Sequence, residues 1–135
     1  MKKSSLNKKG KQKISVIQRH VWDECKRITR ARYIKKDDTW DCFTCGRLID
    51  EAWKAQTGHF IAKGSLGAYL KYDLRVLRIQ CYFCNINCGG AGALFYENLV
   101  KTEGQEYVNQ IIKDRQVTVQ AYDHYLKLLE EYKKL

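Results

Sequence analysis

The sequence predicts an α+β domain pinned by a bound metal, and three observations carry that expectation. Two Cys-x-x-Cys pairs, Cys42/Cys45 and Cys81/Cys84, supply four soft thiolates of the kind that closed, tetrahedral zinc sites take. The 35 residues between the pairs, 46–80, mix short apolar runs with glycines and favour extended segments and turns. Before and after this region, apolar residues recur at helical spacing.

Taken in order, residues 1–13 are basic and low in complexity, and a disordered arm is expected there. One domain follows over 14–135, with a zinc-binding and catalytic core at 40–104 and C-terminal helices at 105–135. Ile14, Ile17, Val21, Cys25 and Ile28 fall on one stripe of a helix reaching about Tyr33, with Arg19, Lys26, Arg27, Arg30 and Arg32 mostly off it. Cys25 belongs to the stripe and reads as a core residue. Trp40–Cys42 starts a zinc knuckle whose tight turn contains Cys45-Gly46. Residues 47–61 read as hairpin-like strands, the second ending at His59. Residues 62–68 are loop-like, and 70–80 form another extended segment. Past the glycine cluster at 89–92, helices are expected over 93–102, 105–114 and 118–133, Gly104 ending the first of them. Tyr107, Val108, Ile111 and Ile112 mark the buried face of the second. Tyr122, Tyr125, Leu126, Leu129 and Tyr132 mark that of the third.

The formal charge is +10, and residues 1–36 hold 13 Lys/Arg against 2 acids while the rest of the chain is close to neutral. A cationic block of this kind suits a polyanion, because clustered Lys/Arg gain from counterion release on nucleic acid. No apolar run follows the N-terminal lysines as in a secretory leader, and none is long enough to span a bilayer. A cytoplasmic location is therefore expected, and in that reducing compartment paired cysteines are metal ligands before they are disulfides. Four thiolates holding one Zn²⁺ add −2, taking +10 to +8, so the chain stays basic.

His59 is the only histidine between the cysteine pairs. Gly58 precedes it, and Asn85 directly follows Cys84, where zinc ligation would fix the backbone. The run Cys-x-x-Cys, then Gly-His-Phe-Ile, then Gln-Cys-x-x-Cys-Asn resembles the HNH (His-Me finger) nucleases, and most closely the phage recombination family called NinG or Rap. The likeness extends over Arg30–Tyr33, Cys42–Gly46, Thr57–Gly64, Leu70–Asp73, Gln80–Asn85 and Gly90 through Phe95, Asn98 and Gly104. Phage endonuclease VII, a junction resolvase, is similar in placing an asparagine directly after its last zinc cysteine.

The resemblance implies a ββα-metal core, two strands and a helix around a catalytic Mg²⁺ or Mn²⁺, flanked here by the basic helix and the C-terminal helices. It also implies an endonuclease acting on branched DNA such as Holliday junctions and flaps, within the host cell. His59 would be the general base and Asn85 a ligand of the catalytic cation, with Asp73 and Asn87 as candidates to complete its shell. Zinc on Cys42, Cys45, Cys81 and Cys84 would be structural. A neutral imidazole near pH 7 can take a proton from water, and an amide oxygen is a hard ligand suited to Mg²⁺. Phosphate contacts are expected from Arg27, Arg30, Arg32, Lys63, Arg75 and Arg78. A homodimer is expected because resolving a junction takes two cuts.

The sequence departs from the HNH pattern at three places. Val76 stands where the middle Asn would, Gly58 where many such enzymes put a carboxylate ligand, and Gly90-Ala91 where the family has Gly-Asn. These carry a second reading, a zinc-containing DNA-binding recombination accessory protein impaired in cleavage. A zinc deaminase is set aside, since its His-x-Glu signature would need Glu where Ile61 stands.

Overall fold

The computed structural model describes residues 5–7 and 10–135. Residues 1–4, 8 and 9 of the expected disordered arm lie outside the described residues. The remainder of that arm turns back on itself: Leu6 and Gln12 form an antiparallel bridge, and Lys13 N–H donates to Ser5 O at 2.9 Å.

Helix α1, Ile14–Tyr33, takes up the apolar stripe read from the sequence. Ile17, Val21, Cys25 and Ile28 are buried, while Ile14, in the first turn, is 41% exposed. The buried Cys25 thiol lies 3.5 Å from Tyr72 O, and burial pushes it up to about 12, so it behaves as a core residue. Helix α5, Ala121–Lys133, packs along α1 through Tyr125, Leu128, Leu129 and Tyr132. Arg27 clamps the pair by donating to Tyr132 O and Leu135 O, each at 3.0 Å.

Two small antiparallel sheets stand between these helices in sequence. β1 (Trp40–Asp41) pairs with β2 (Leu48–Ile49), and β3 (Gln56–His59) pairs with β4 (Leu77–Gln80). The hairpin expected within 47–61 is thus corrected, because its two strands each take a partner from outside the segment. The extended segment expected at 70–80 shortens to β4, since α2 (Ala68–Lys71) and a 3₁₀ turn at Leu74–Val76 fill its first part. Asp73 makes that turn: its carboxylate caps it by accepting from Arg75 N–H at 2.9 Å.

Helices α3 (Gly92–Glu103) and α4 (Gln105–Asp114) follow, close to the positions their periodicity gives. They bury Phe95, Leu99, Val108 and Ile111 in the main core, Phe95 meeting the rings of Phe43 and Phe60, whereas Ile112 stays 43% exposed. The main core therefore lies where α1, α5, α3 and α4 meet the β3–β4 sheet. A second, smaller cluster of Trp40, Ile49, Ala55 and Ile79 surrounds the cysteines. No helix among the described residues is long and apolar enough to cross a membrane.

Candidate functional site

The four cysteines converge because three local structures aim at one point. Cys42 closes β1, and the turn after it is tightened by Gly46 N–H donating to Cys42 O at 2.9 Å. Gly46 has φ +77°, a conformation that glycine adopts without steric cost. Phe43 N–H donates to Ile79 O at 2.8 Å, which docks the knuckle on β4. Cys81 then leaves β4, and a π-type turn at Phe83–Asn87 brings Cys84 back to it.

All four Sγ atoms lie within 4.8 Å of one another. Thiolates ~2.3 Å from a tetrahedral zinc stand about 3.8 Å apart, and Cys45 Sγ and Cys81 Sγ are 3.7 Å apart. The donor set fits zinc in both chemistry and size, so the cluster can hold such an ion. Cys88 is exposed on the turn and stands outside it.

His59 ends β3. Its ring stacks on Trp22 of α1, with centroids 5.2 Å apart and planes 17° apart. Its Nε2 lies 2.9 Å from Lys71 O. A carbonyl only accepts, so Nε2 carries the proton and Nδ1 keeps the lone pair. Burial holds the ring's pKa below the usual histidine value; the Lys71 carbonyl opposes this, and the charges of Lys63 and Lys71 add to it. Lys63 Nζ sits 4.8 Å from the Trp22 ring and 5.4 Å from that of Tyr72. Burial, with Lys71 nearby, lowers its pKa too.

Asn85 is set by the cysteine turn: its N–H donates to Cys81 O at 3.0 Å, and its Nδ2 donates to Gln56 Oε1 at 2.8 Å. The amide nitrogen is thereby committed, and Oδ1 is the atom the side chain offers. Alternation along β3 puts Gln56 and Gly58 on one face and Thr57 and His59 on the other. Asn85 thus reaches β3 through Gln56 while the His59 ring rests on Trp22, and no hydrogen bond or ring contact joins the two.

The other expected ligands are placed differently. Asp73 is taken up by Arg75, with Nη2 2.8 Å from its carboxylate, and Arg75 also pairs with Asp114 at 2.9 Å. Asn87 is exposed on the turn after Asn85. Val76 is fully buried and packs in the main core, while its carbonyl accepts Phe60 N–H at 2.8 Å. Ala91, at the start of α3, adopts a left-handed conformation with φ 51°.

Gly58 has no room for a carboxylate. A Cβ there would lie 1.7 Å from Gln80 Oε1. Gln80 is fully buried and cannot readily yield, because its Nε2 donates to Thr44 Oγ1 at 3.1 Å and to Gly90 O at 2.8 Å. Gly58→Ala is expected to destabilise the domain by about 2–4 kcal/mol, the sum of overpacking and broken buried hydrogen bonds. The midpoint of urea unfolding measures this, and Gln80→Ala in the same chain should recover part of the loss.

Of the expected phosphate contacts, Arg78 is corrected. It is 3% exposed and stands in the interior, donating to Leu77 O at 2.7 Å and pairing with Glu103 at 3.4 Å. Arg27 is engaged with α5 as described, Arg30 donates to Ala55 O at 3.2 Å, and Arg75 has its two carboxylates. Arg32 is exposed and makes no hydrogen bond or ion pair among the described residues. Sequence reasoning missed Trp22, Lys71, Gln56 and Gln80. Three of these act through contacts between distant segments, and Lys71 acts on His59 through a backbone carbonyl, which no side-chain pattern reveals.

Fold and site together define a small mixed α+β protein pinned by a four-cysteine cluster able to hold a metal ion. A family model described as bacteriophage Lambda NinG protein matches residues 1–135, and the chain belongs to that NinG family. It is similar to protein ninG of Escherichia phage 933W and to protein ninG of Enterobacteria phage VT2-Sa. Each is 27% identical over 100 residues, covering 73% of this chain. The chain spans about half the length of these relatives, 48% of each. No solved structure matches the chain.

Proposed function

We propose that the chain is a metal-dependent DNA endonuclease of the HNH type, acting on branched DNA in phage recombination. The observation that carries this reading is the state of His59. Its proton is fixed on Nε2 by Lys71 O, Nδ1 is left bare, and a lowered pKa keeps the ring neutral at pH 7. Such a nitrogen is prepared to take a proton from water. Lys63 and Lys71, close enough to perturb it, give the same region the positive charge that draws in a phosphodiester.

Asn85 Oδ1, on a turn held by the cysteines, is the oxygen that would hold a catalytic Mg²⁺ or Mn²⁺, with Asn87 the other amide available on that turn. When bound, such an ion supplies positive charge to the transition state and to the leaving oxygen. β3, β4 and the turn after Cys84 are the parts that would form the ββα-metal unit. The cysteine-bound zinc keeps a structural role in this reading.

Three observations favour a second reading, a DNA-binding recombination accessory protein impaired in cleavage. Gln80 closes the position at Gly58, Asp73 is paired with Arg75, and Asn85 makes no contact with a carboxylate among the described residues. The test is incubation of the purified chain with labelled four-way junction, flap and linear duplex in Mg²⁺, Mn²⁺ or EDTA. Cleavage that needs the cation supports the nuclease. Binding without cleavage selects the second reading, and absence of any binding overturns both. Sedimentation on the junction tests the homodimer.

A further inference from the structure

We propose that the groove between the end of α1, the first knuckle and α3 is a binding site for a single unpaired nucleotide of DNA. This inference rests on the reading of the chain as a DNA-binding protein and names which feature of a branch it recognises. The groove has a volume of about 350 Å³, room for one base with its sugar. Tyr33, Phe43, Arg78, Lys35, Lys101 and Asn98 are among the residues that line it.

Its walls are flat and aromatic. The Arg78 guanidinium lies over both rings, 5.2 Å from the Tyr33 centroid and 5.5 Å from that of Phe43, in cation–π contact with each. Tyr33 remains 38% exposed. A base stacks on such a surface whatever its identity, because every base has a π-face.

Its polar groups call for acceptors within and anions outside. Arg78 is 3% exposed, and its two terminal nitrogens are used by carbonyls, Glu103 and Tyr107. Its Nε–H makes no hydrogen bond among the described residues and is the one guanidinium nitrogen left to donate. A base carbonyl or ring nitrogen would satisfy it. At the groove, Lys35 is paired with Asp41 at 2.9 Å, and Lys101 is the lining cation with no carboxylate partner among the described residues, placed to meet a phosphate at the mouth. Asn98 Nδ2 is committed to Phe43 O at 2.7 Å, leaving its Oδ1 as an acceptor for an exocyclic amino group. A paired base inside a duplex presents no free face to such a slot, so the site selects flaps and branch points over continuous duplex.

The test uses the intact chain and fluorescence anisotropy at fixed salt. Three probes share one duplex: blunt, with a short single-stranded flap, and with a flap of equal length whose sugars lack bases. The base-bearing flap is expected to bind about tenfold more tightly than the abasic one, the size of one stacked base. Tyr33→Ala should abolish that difference while leaving the blunt duplex unchanged, and Tyr33→Phe should keep it. Equal binding of the two flaps by the unaltered protein overturns the inference even if a variant fails to fold. Failure to bind any of the three probes overturns the DNA reading itself.

Discussion

Stripping the metal from the four-cysteine cluster is expected to unfold the region from β1 to the turn after Cys84. The reason lies in how little else holds it. β1 and β2 are two residues each, and the apolar cluster around them is small. Structural zinc contributes on the order of 10–16 kcal/mol to zinc-dependent peptides, as much as or more than the roughly 5–15 kcal/mol by which a whole domain is stable. Elemental analysis should find one zinc per chain. A strong chelator, or Cys84→Ser, should lower the thermal midpoint by tens of degrees or abolish the transition. A chain that melts identically with and without chelator, and carries no metal, would falsify the structural role of the cluster.

His59→Ala is expected to lower the single-turnover rate of junction cleavage by roughly 10²- to 10⁴-fold, the range of a general base, with junction affinity retained. Loss of the stack on Trp22 makes a folding control necessary, and circular dichroism of the variant supplies it. The pH profile carries a second signature. The folded ring has a depressed pKa, so the rate should hold level as pH falls through the ordinary histidine value near 6.5 and decline only below it. The linked stability effect has a definite sign. Above about pH 6.5 both folded and unfolded rings are neutral and the contribution of the neutral buried ring is complete. Below it the unfolded ring takes up a proton first, so stability falls as pH drops toward the folded pKa. Urea titrations between pH 7.5 and 5 should show this slope, reduced in the variant. An unchanged cleavage rate in His59→Ala would assign the base elsewhere.

The helices were legible because each has a one-sided pattern that burial rewards. Gln105–Asp114 is met at both ends, and the stripe of α1 buries at every expected position except Ile14, whose place in the first turn leaves it in water. The cysteine cluster was legible because ligand spacing is itself a geometric statement. What escaped was pairing between short strands: nothing in residues 47–61 tells β3 to pair with β4 across 17 intervening residues, from 60 to 76, rather than with β2. The site divided in the same way. His59 and Asn85 announce themselves by residue type, whereas Trp22 under the ring and Gln80 over Gly58 belong to contacts that only the folded chain creates. Arg78 looked like a surface cation because sequence carries charge without depth.

The fit of Gln80 over Gly58 also restricts the routes by which this chain can change. Placing an acidic ligand beside His59 requires Gly58→Asp, yet with Gln80 in place that step alone disrupts a hydrogen-bonded interior. Shortening Gln80 first removes the donor that Thr44 and Gly90 share. Either order passes through a weakened protein, so the two positions are expected to change together or not at all. In this chain the glycine before His59 is therefore held in place by a neighbour 22 positions away.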